Sequence, residues 1–166
     1  MDKYKKHNDI FLHRNDLVIP RGAVLLELYN VKTKKLISDL VNNMVVTAGK
    51  NSMADALRGT TANNKGIITY CALGTGITAP DLGDTGLQTE IFRKLVSVRS
   101  VVGNIATFQT FFTTSEANGS LKEAGLFGDD ASGTPGSGTL FCRLAINRTK
   151  TINDTLTLTW DVQIGS

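Results

Sequence analysis

The sequence predicts an all-β protein: an antiparallel β-sandwich of jelly-roll-like form, with one short α-helix and an N-terminal arm. Three observations predict this fold. The final strand-like stretch, Asp154 to Ile164, alternates apolar and polar residues over 11 positions, as a half-buried strand does. The 16 Gly among 166 residues favour turns over long helices. One segment, Ala48 to Arg58, has helical spacing, with Thr47 as its predicted N-cap.

Length and composition predict one domain that follows an arm. A chain of 166 residues can bury one core without disulfides or metals. Its first 19 residues hold charged residues and two short apolar groups, which cannot form a core of their own, whereas the strand pattern begins at Ala23. We therefore divide the chain into an arm, residues 1–19, and a single β-sandwich domain, residues 20–166.

The strand patterns add up to 8 strands joined by turns. The first, Ala23 to Asn30, is partly apolar on both faces, which indicates either cover on both sides or a contact between subunits. In the last strand Trp160 falls on the core face, where we expect it to pack with Leu144, Leu156 and Leu158. The predicted strands span residues 23–30, 36–41, 67–73, 90–102, 105–114, 121–127, 139–147 and 154–164.

The sequence shows no catalytic or metal-binding constellation. Both histidines, His7 and His13, lie in the arm, so the domain lacks the base that a Ser–His or Cys–His pair requires. Cys71 and Cys142 are interpreted as small buried hydrophobic residues, although a disulfide between them stays open. We therefore expect no enzymatic activity, no cofactor and no metal.

Several polar residues could still form a binding or catalytic site, although each also has an ordinary structural interpretation. The run from Gly74 to Gly76 lacks the rest of a phosphate-binding motif, so we interpret it as a loop. Glu116 and Glu123 are a conceivable glycosidase pair that nothing else supports. Acids in loops could bind a hard cation but lack calcium-loop spacing: Asp81, Asp84, Asp129 and Asp130. Arginines on or beside strands are either solvated or contacts between subunits: Arg93, Arg99, Arg143 and Arg148.

Three stretches resemble small structural proteins of tailed bacteriophages. They are LLELYNVKTKKLI with NNMVVTAGKNSMADALRG, then ITYCALGTGITAPDLGDTGLQTEIFRK, then TFQTFFTTSEANGSLKEAGLFGDDASGTPGSGTLFCRLAI, and they fall within residues 23–164. The resemblance implies a non-enzymatic virion structural protein, and we expect a capsid decoration (cement) protein that stabilises the head. The alternative is a tail-fibre or baseplate component that binds a receptor or carbohydrate.

The arm is the predicted partner-binding site. Its apolar residues have no partner within the segment, and its basic residues suit an acidic surface. We expect binding to other virion proteins, either the major capsid protein or tail components, together with homo-oligomerisation, and no binding to nucleic acid or membrane. The expected location is the virion, after assembly in the host cytoplasm. The predicted partner-binding residues are Lys3, Lys5, Lys6, Ile10, Phe11, Leu12, Arg14, Leu17, Val18 and Ile19.

Overall fold

The described part of the chain is built from nine antiparallel strands and one helix. It comprises residues 20–57 and 66–164 of a computed structural model, without the side chains of Arg21 and Leu57. The predicted arm and all its partner-binding residues therefore lie outside the described residues. The elements are β1 (Arg21–Asn30), β2 (Leu36–Val45), α1 (Thr47–Leu57), β3 (Ile68–Gly74), β4 (Glu90–Leu95), β5 (Val98–Val102), β6 (Ile105–Phe112), β7 (Gly119–Gly128), β8 (Thr139–Lys150) and β9 (Asp154–Gln163).

The nine strands form one curled sheet in the order β4-β3-β7-β8-β2-β1-β9-β6-β5. Strand β2 joins its two parts, because its residues up to Asn43 pair with β1 while Met44 and Val45 pair with β8. We call β2-β1-β9-β6-β5 the first half-sheet and β4-β3-β7-β8 the second half-sheet. The chain crosses between them again from β4 to β5, so the sheet curls around the apolar residues on its inner face.

The mostly antiparallel β architecture with one short helix is confirmed, but the structure has nine strands instead of eight. The predicted strand 90–102 is two strands, because its hydrogen bonds change partner at the bend. Val96 N donates to Thr69 O at 2.8 Å, and Ser97 N donates to Gln109 O at 2.8 Å. The bend results from these tertiary contacts, and no Gly or Pro within residues 90–102 indicates it in the sequence.

The helix begins one residue before the predicted start, and its cap differs from the prediction. Lys50 N donates to Val46 O at 3.1 Å, so Val46 stands at the N-cap position and Thr47 is the first helical residue. Thr47 N instead donates to Leu82 O at 2.9 Å, which ties the helix to the loop that follows β3. The predicted last residue, Arg58, lies outside the described residues.

The main core lies between the inner faces of the two half-sheets. Trp160 is fully buried, and Leu144, Leu156 and Leu158 belong to the same apolar cluster, as the alternation in β8 and β9 predicts. The cluster joins strands of both half-sheets, since it also holds Val24, Leu26, Cys71, Leu73, Phe112, Leu121, Leu126 and Cys142.

Truncation of Trp160 tests the assignment of the strand faces. Because its side chain is 0% exposed, Trp160→Ala should lower the free energy of unfolding by about 3–5 kcal/mol through lost burial and a cavity. The matched control is Phe111→Ala, since Phe111 lies on the opposite face of the neighbouring strand and is 43% exposed. Urea denaturation of both variants measures the difference, and equal losses would contradict the assignment.

Candidate functional site

The outer face of the second half-sheet is covered by helix α1 and by loops. One of them, which we call the glycine loop, comprises residues 75–89 between β3 and β4. Leu87 of this loop belongs to a small apolar cluster with Ala72, Phe127 and Leu140, separate from the main core. Two charged side chains, Glu123 and Arg143, are buried beneath the same loop.

Glu123 lies at the centre of this region. The side chain projects from β7 and is 1% exposed. Its carboxylate accepts three hydrogen bonds from the backbone of the glycine loop, from Gly76 N at 3.0 Å, Gln88 N at 2.9 Å and Thr89 N at 2.7 Å. Since these residues stand at the two ends of the loop, one carboxylate holds both ends together.

Arg143 on β8 completes the contact from the neighbouring strand. Its Nε and Nη2 donate to Glu123 Oε2 at 3.1 and 2.8 Å, and Nη1 donates to Asp84 Oδ2 at 2.6 Å. Nη2 also donates to Thr78 O at 3.1 Å. The guanidinium therefore binds the middle of the glycine loop while it neutralises Glu123. We call Glu123, Arg143 and Asp84 the loop clamp.

The charges of the loop clamp stabilise one another. Burial alone would raise the pKa of Asp84, but the hydrogen bonds from Asp81 N–H and Arg143, with the positive charge of Arg143, hold that pKa below its ordinary value. Burial would lower the pKa of Arg143, yet Asp84 and Glu123 raise it above its ordinary value. Both groups are therefore charged at neutral pH.

The glutamine at the end of the loop adds a second tie within it. Gln88 Oε1 accepts from Ile77 N at 2.7 Å and from Thr78 N at 3.0 Å. The backbone at the start of the loop is thereby fixed next to Ile77, whose side chain is 83% exposed. Gln88 therefore ties the end of the glycine loop to its start.

Arg93 fixes the second surface loop, residues 129–138, in a similar way. Its guanidinium lies 4.6 Å from the ring centre of Phe127, and Nη2 pairs with Glu90 Oε2 at 2.7 Å. Nη1 donates to two backbone carbonyls of the loop, Ser132 O at 3.1 Å and Ser137 O at 3.0 Å. A buried arginine again satisfies the backbone of a loop that contains several glycines.

The predicted arginine sites therefore need correction. Arg93 and Arg143 are neither solvated nor contacts between subunits, because they are buried and bind loops of their own chain. Arg148 pairs with Asp39 on β2, and Arg99 is exposed on β5. The pattern of a strand shows that an arginine lies on or beside it, but it does not indicate whether a loop covers the face on which the arginine lies.

The conceivable glycosidase pair is not supported by the contacts of either residue. Glu123 is saturated by the loop clamp, and Glu116 pairs with Lys94, with Nζ to Oε2 at 2.7 Å. Burial would raise the pKa of Glu116, but the hydrogen bonds from Lys94 and Thr113 and the charge of Lys94 keep it below its ordinary value. Glu116 therefore lacks the raised pKa that a general acid requires.

The loop aspartates, considered above as cation ligands, also bind groups of this chain. Asp129 Oδ1 accepts from Ser52 Oγ at 2.7 Å and from Gly66 N at 2.7 Å, which ties α1 to the start of β3. Asp81 Oδ1 accepts from Gly83 N at 2.8 Å, and Asp84 belongs to the loop clamp. Across residues 20–57 and 66–164, no group of three or more His, Cys, Asp or Glu side chains could hold a metal ion.

The two cysteines are buried and not bonded to each other. Both pair in register with Leu126, from opposite sides of β7. Two strand spacings separate their Cα atoms by about 10 Å, which exceeds the reach of a disulfide. Burial raises the pKa of Cys71 to about 12, against smaller opposing effects of Trp160 and Thr110, so the thiol stays protonated and unreactive.

Substitution at two glycines tests whether the loop clamp fixes the glycine loop. A Cβ at Gly76 would lie 2.4 Å from Glu123 Oε1, whereas a Cβ at Gly86 meets nothing within 4 Å. We expect Gly76→Ala to lower the free energy of unfolding by about 1–3 kcal/mol, and Gly86→Ala to change it by less than about 0.5 kcal/mol. Thermal unfolding of both variants measures this, and equal stabilities would contradict it.

Comparisons with known proteins add no assignment. The chain matches no protein-family profile, and no curated protein sequence or solved structure is significantly similar to it. Among the described residues, no helix is long and apolar enough to cross a membrane. The functional interpretation therefore rests on the loop clamp, on the surfaces of the two half-sheets and on the motifs noted in the sequence.

Proposed function

We propose that the chain is a non-enzymatic structural protein of a tailed-bacteriophage virion, specifically a capsid decoration protein that attaches to the head and stabilises it. The observation that carries this proposal is that the residues of the loop clamp lie in the stretches that resemble phage structural proteins. Two of the three stretches supply the loop clamp, with Asp84 in one and Glu123 and Arg143 in the other. Their shared task is to hold a surface loop, which suits a component of a rigid assembly.

We also propose that the curled sheet is a jelly-roll-like β-sandwich. A jelly-roll-like sandwich needs two antiparallel layers that face each other across one core. The first and second half-sheets would be these two antiparallel layers. The chain passes between them at β2 and at the β4–β5, β6–β7 and β8–β9 connections. The main apolar cluster, which draws on both half-sheets, supports this interpretation.

In this proposal the arm attaches the folded domain to its neighbours in the particle. Residues 1–19 precede β1, and the strand pairs of the described residues lie between Arg21 and Gln163. The arm carries Lys3, Lys5, Lys6 and Arg14 together with two apolar groups, residues 10–12 and 17–19. Because ordering a segment costs about 1–2 kcal/mol per residue, attachment gains from many equivalent sites or from a second contact through the domain.

The position of the protein in purified particles tests the proposed function. Gold-labelled antibody raised against the recombinant chain should decorate the whole head in electron micrographs of the phage that encodes it. Label confined to one tip of the tail would replace the decoration role by the tail-fibre or baseplate alternative. Protein that is expressed during infection yet absent from purified particles would contradict a virion role altogether.

A further inference from the structure

The outer face of the first half-sheet is bare among the described residues, unlike that of the second half-sheet. We call this surface the bare face; it consists of the side chains on these strands that point away from the core. One row of register partners crosses all five strands in the order Leu40, Leu25, Thr159, Gln109 and Val98. Leu40 is 74% exposed and Val98 is 48% exposed, so the row carries apolar surface in contact with water.

The bare face is also acidic. Among its described side chains, Glu27 and Asp161 are the charged ones, and six other positions are threonine or glutamine: Thr107, Gln109, Thr155, Thr157, Thr159 and Gln163. Arg21 stands in register on the same face, opposite Gln163 at the start of β1. An occupant of this surface should therefore bring positive charge and apolar side chains together.

The N-terminal arm has both properties. Lys3, Lys5 and Lys6 lie near its start, with Arg14 further on, and its two apolar groups are Ile10-Phe11-Leu12 and Leu17-Val18-Ile19. Extended, 19 residues reach about 60 Å, whereas five strands are about 24 Å wide. One arm is thus long enough to leave its own domain and cross the bare face of another.

The start of β1 favours delivery to a neighbour over return to the same domain. Strand β1 lies inside the half-sheet between β2 and β9, and it is preceded by Pro20. The residue before a proline favours an extended conformation over a helical one. A return onto its own bare face would require the chain to reverse direction just before β1.

We propose that the bare face binds the N-terminal arm, residues 1–19, of a neighbouring copy of this chain. The inference rests on the proposed role of the arm as an attachment segment and names the surface that receives it. Apolar groups of the arm cover Leu25 and Leu40, and its lysines face Glu27 and Asp161. Since each copy offers both an arm and a face, the contact builds closed rings or a lattice of identical subunits.

Sedimentation of the purified full-length chain tests the contact without any particle, so its failure would leave the virion role standing. We expect self-association that weakens as salt rises. Leu40→Asp on the face and Phe11→Asp in the arm should each raise the dissociation constant by at least about tenfold. The matched control is Ile77→Asp, 83% exposed on the other side of the molecule, which should change it less than about twofold.

Mixing the variants shows whether the arm binds the bare face of another copy or that of its own domain. Leu40→Asp keeps its arm and Phe11→Asp keeps its face, so an equimolar mixture should form a one-to-one complex although neither variant self-associates. Lys5→Glu with Lys6→Glu should weaken association, and adding Glu27→Lys with Asp161→Lys in the same chain should restore it. Wild-type protein that stays monomeric, a mixture that stays monomeric, or association that Leu40→Asp leaves unchanged would overturn the proposal.

Discussion

The buried ion pair between Glu123 and Arg143 is the interaction on which the covered half of the structure depends. The two side chains are 1% and 2% exposed, and removing such charges from water costs several kcal/mol per ion. Five hydrogen bonds to the Glu123 carboxylate offset that cost, and three come from backbone N–H groups of the glycine loop. The loop and the pair therefore stabilise each other. Removing Arg143 would leave Glu123 buried without a counter-charge, at a cost of about 3–5 kcal/mol, whereas Arg143 without Glu123 would still pair with Asp84.

The sequence predicts those parts of the fold that depend on local pattern. Strict alternation in β9 places Trp160 in the core, because period two distinguishes a buried face from an open one. The bend at Val96 and Ser97 and the passage of β2 to a second partner at Met44 follow from contacts between distant strands. Such contacts leave no local signal in the sequence, so its patterns predict eight strands where the structure has nine.

The candidate site was harder to predict because it depends on what covers a strand. The sequence marks residues 74–89 as a glycine-rich loop, and Glu123 and Arg143 as polar positions on strands. It does not indicate that the loop folds back over β7 and β8, where Gly76 leaves the space that the Glu123 carboxylate occupies. For the same reason the sequence could not decide between burial and a subunit contact for the two partly apolar faces of β1. In the structure, Leu25 on the outer face is 37% exposed.

Hydrogen exchange at Gly76, Gln88 and Thr89 measures the central claim most directly. Their amides belong to a surface loop yet donate to a buried carboxylate. If the clamp opens only when the domain unfolds, these amides should be protected by about 10³ or more, similar to the core strand β9. Exchange as fast as that of an unstructured peptide would show that the loop opens independently and that the buried pair does not hold it.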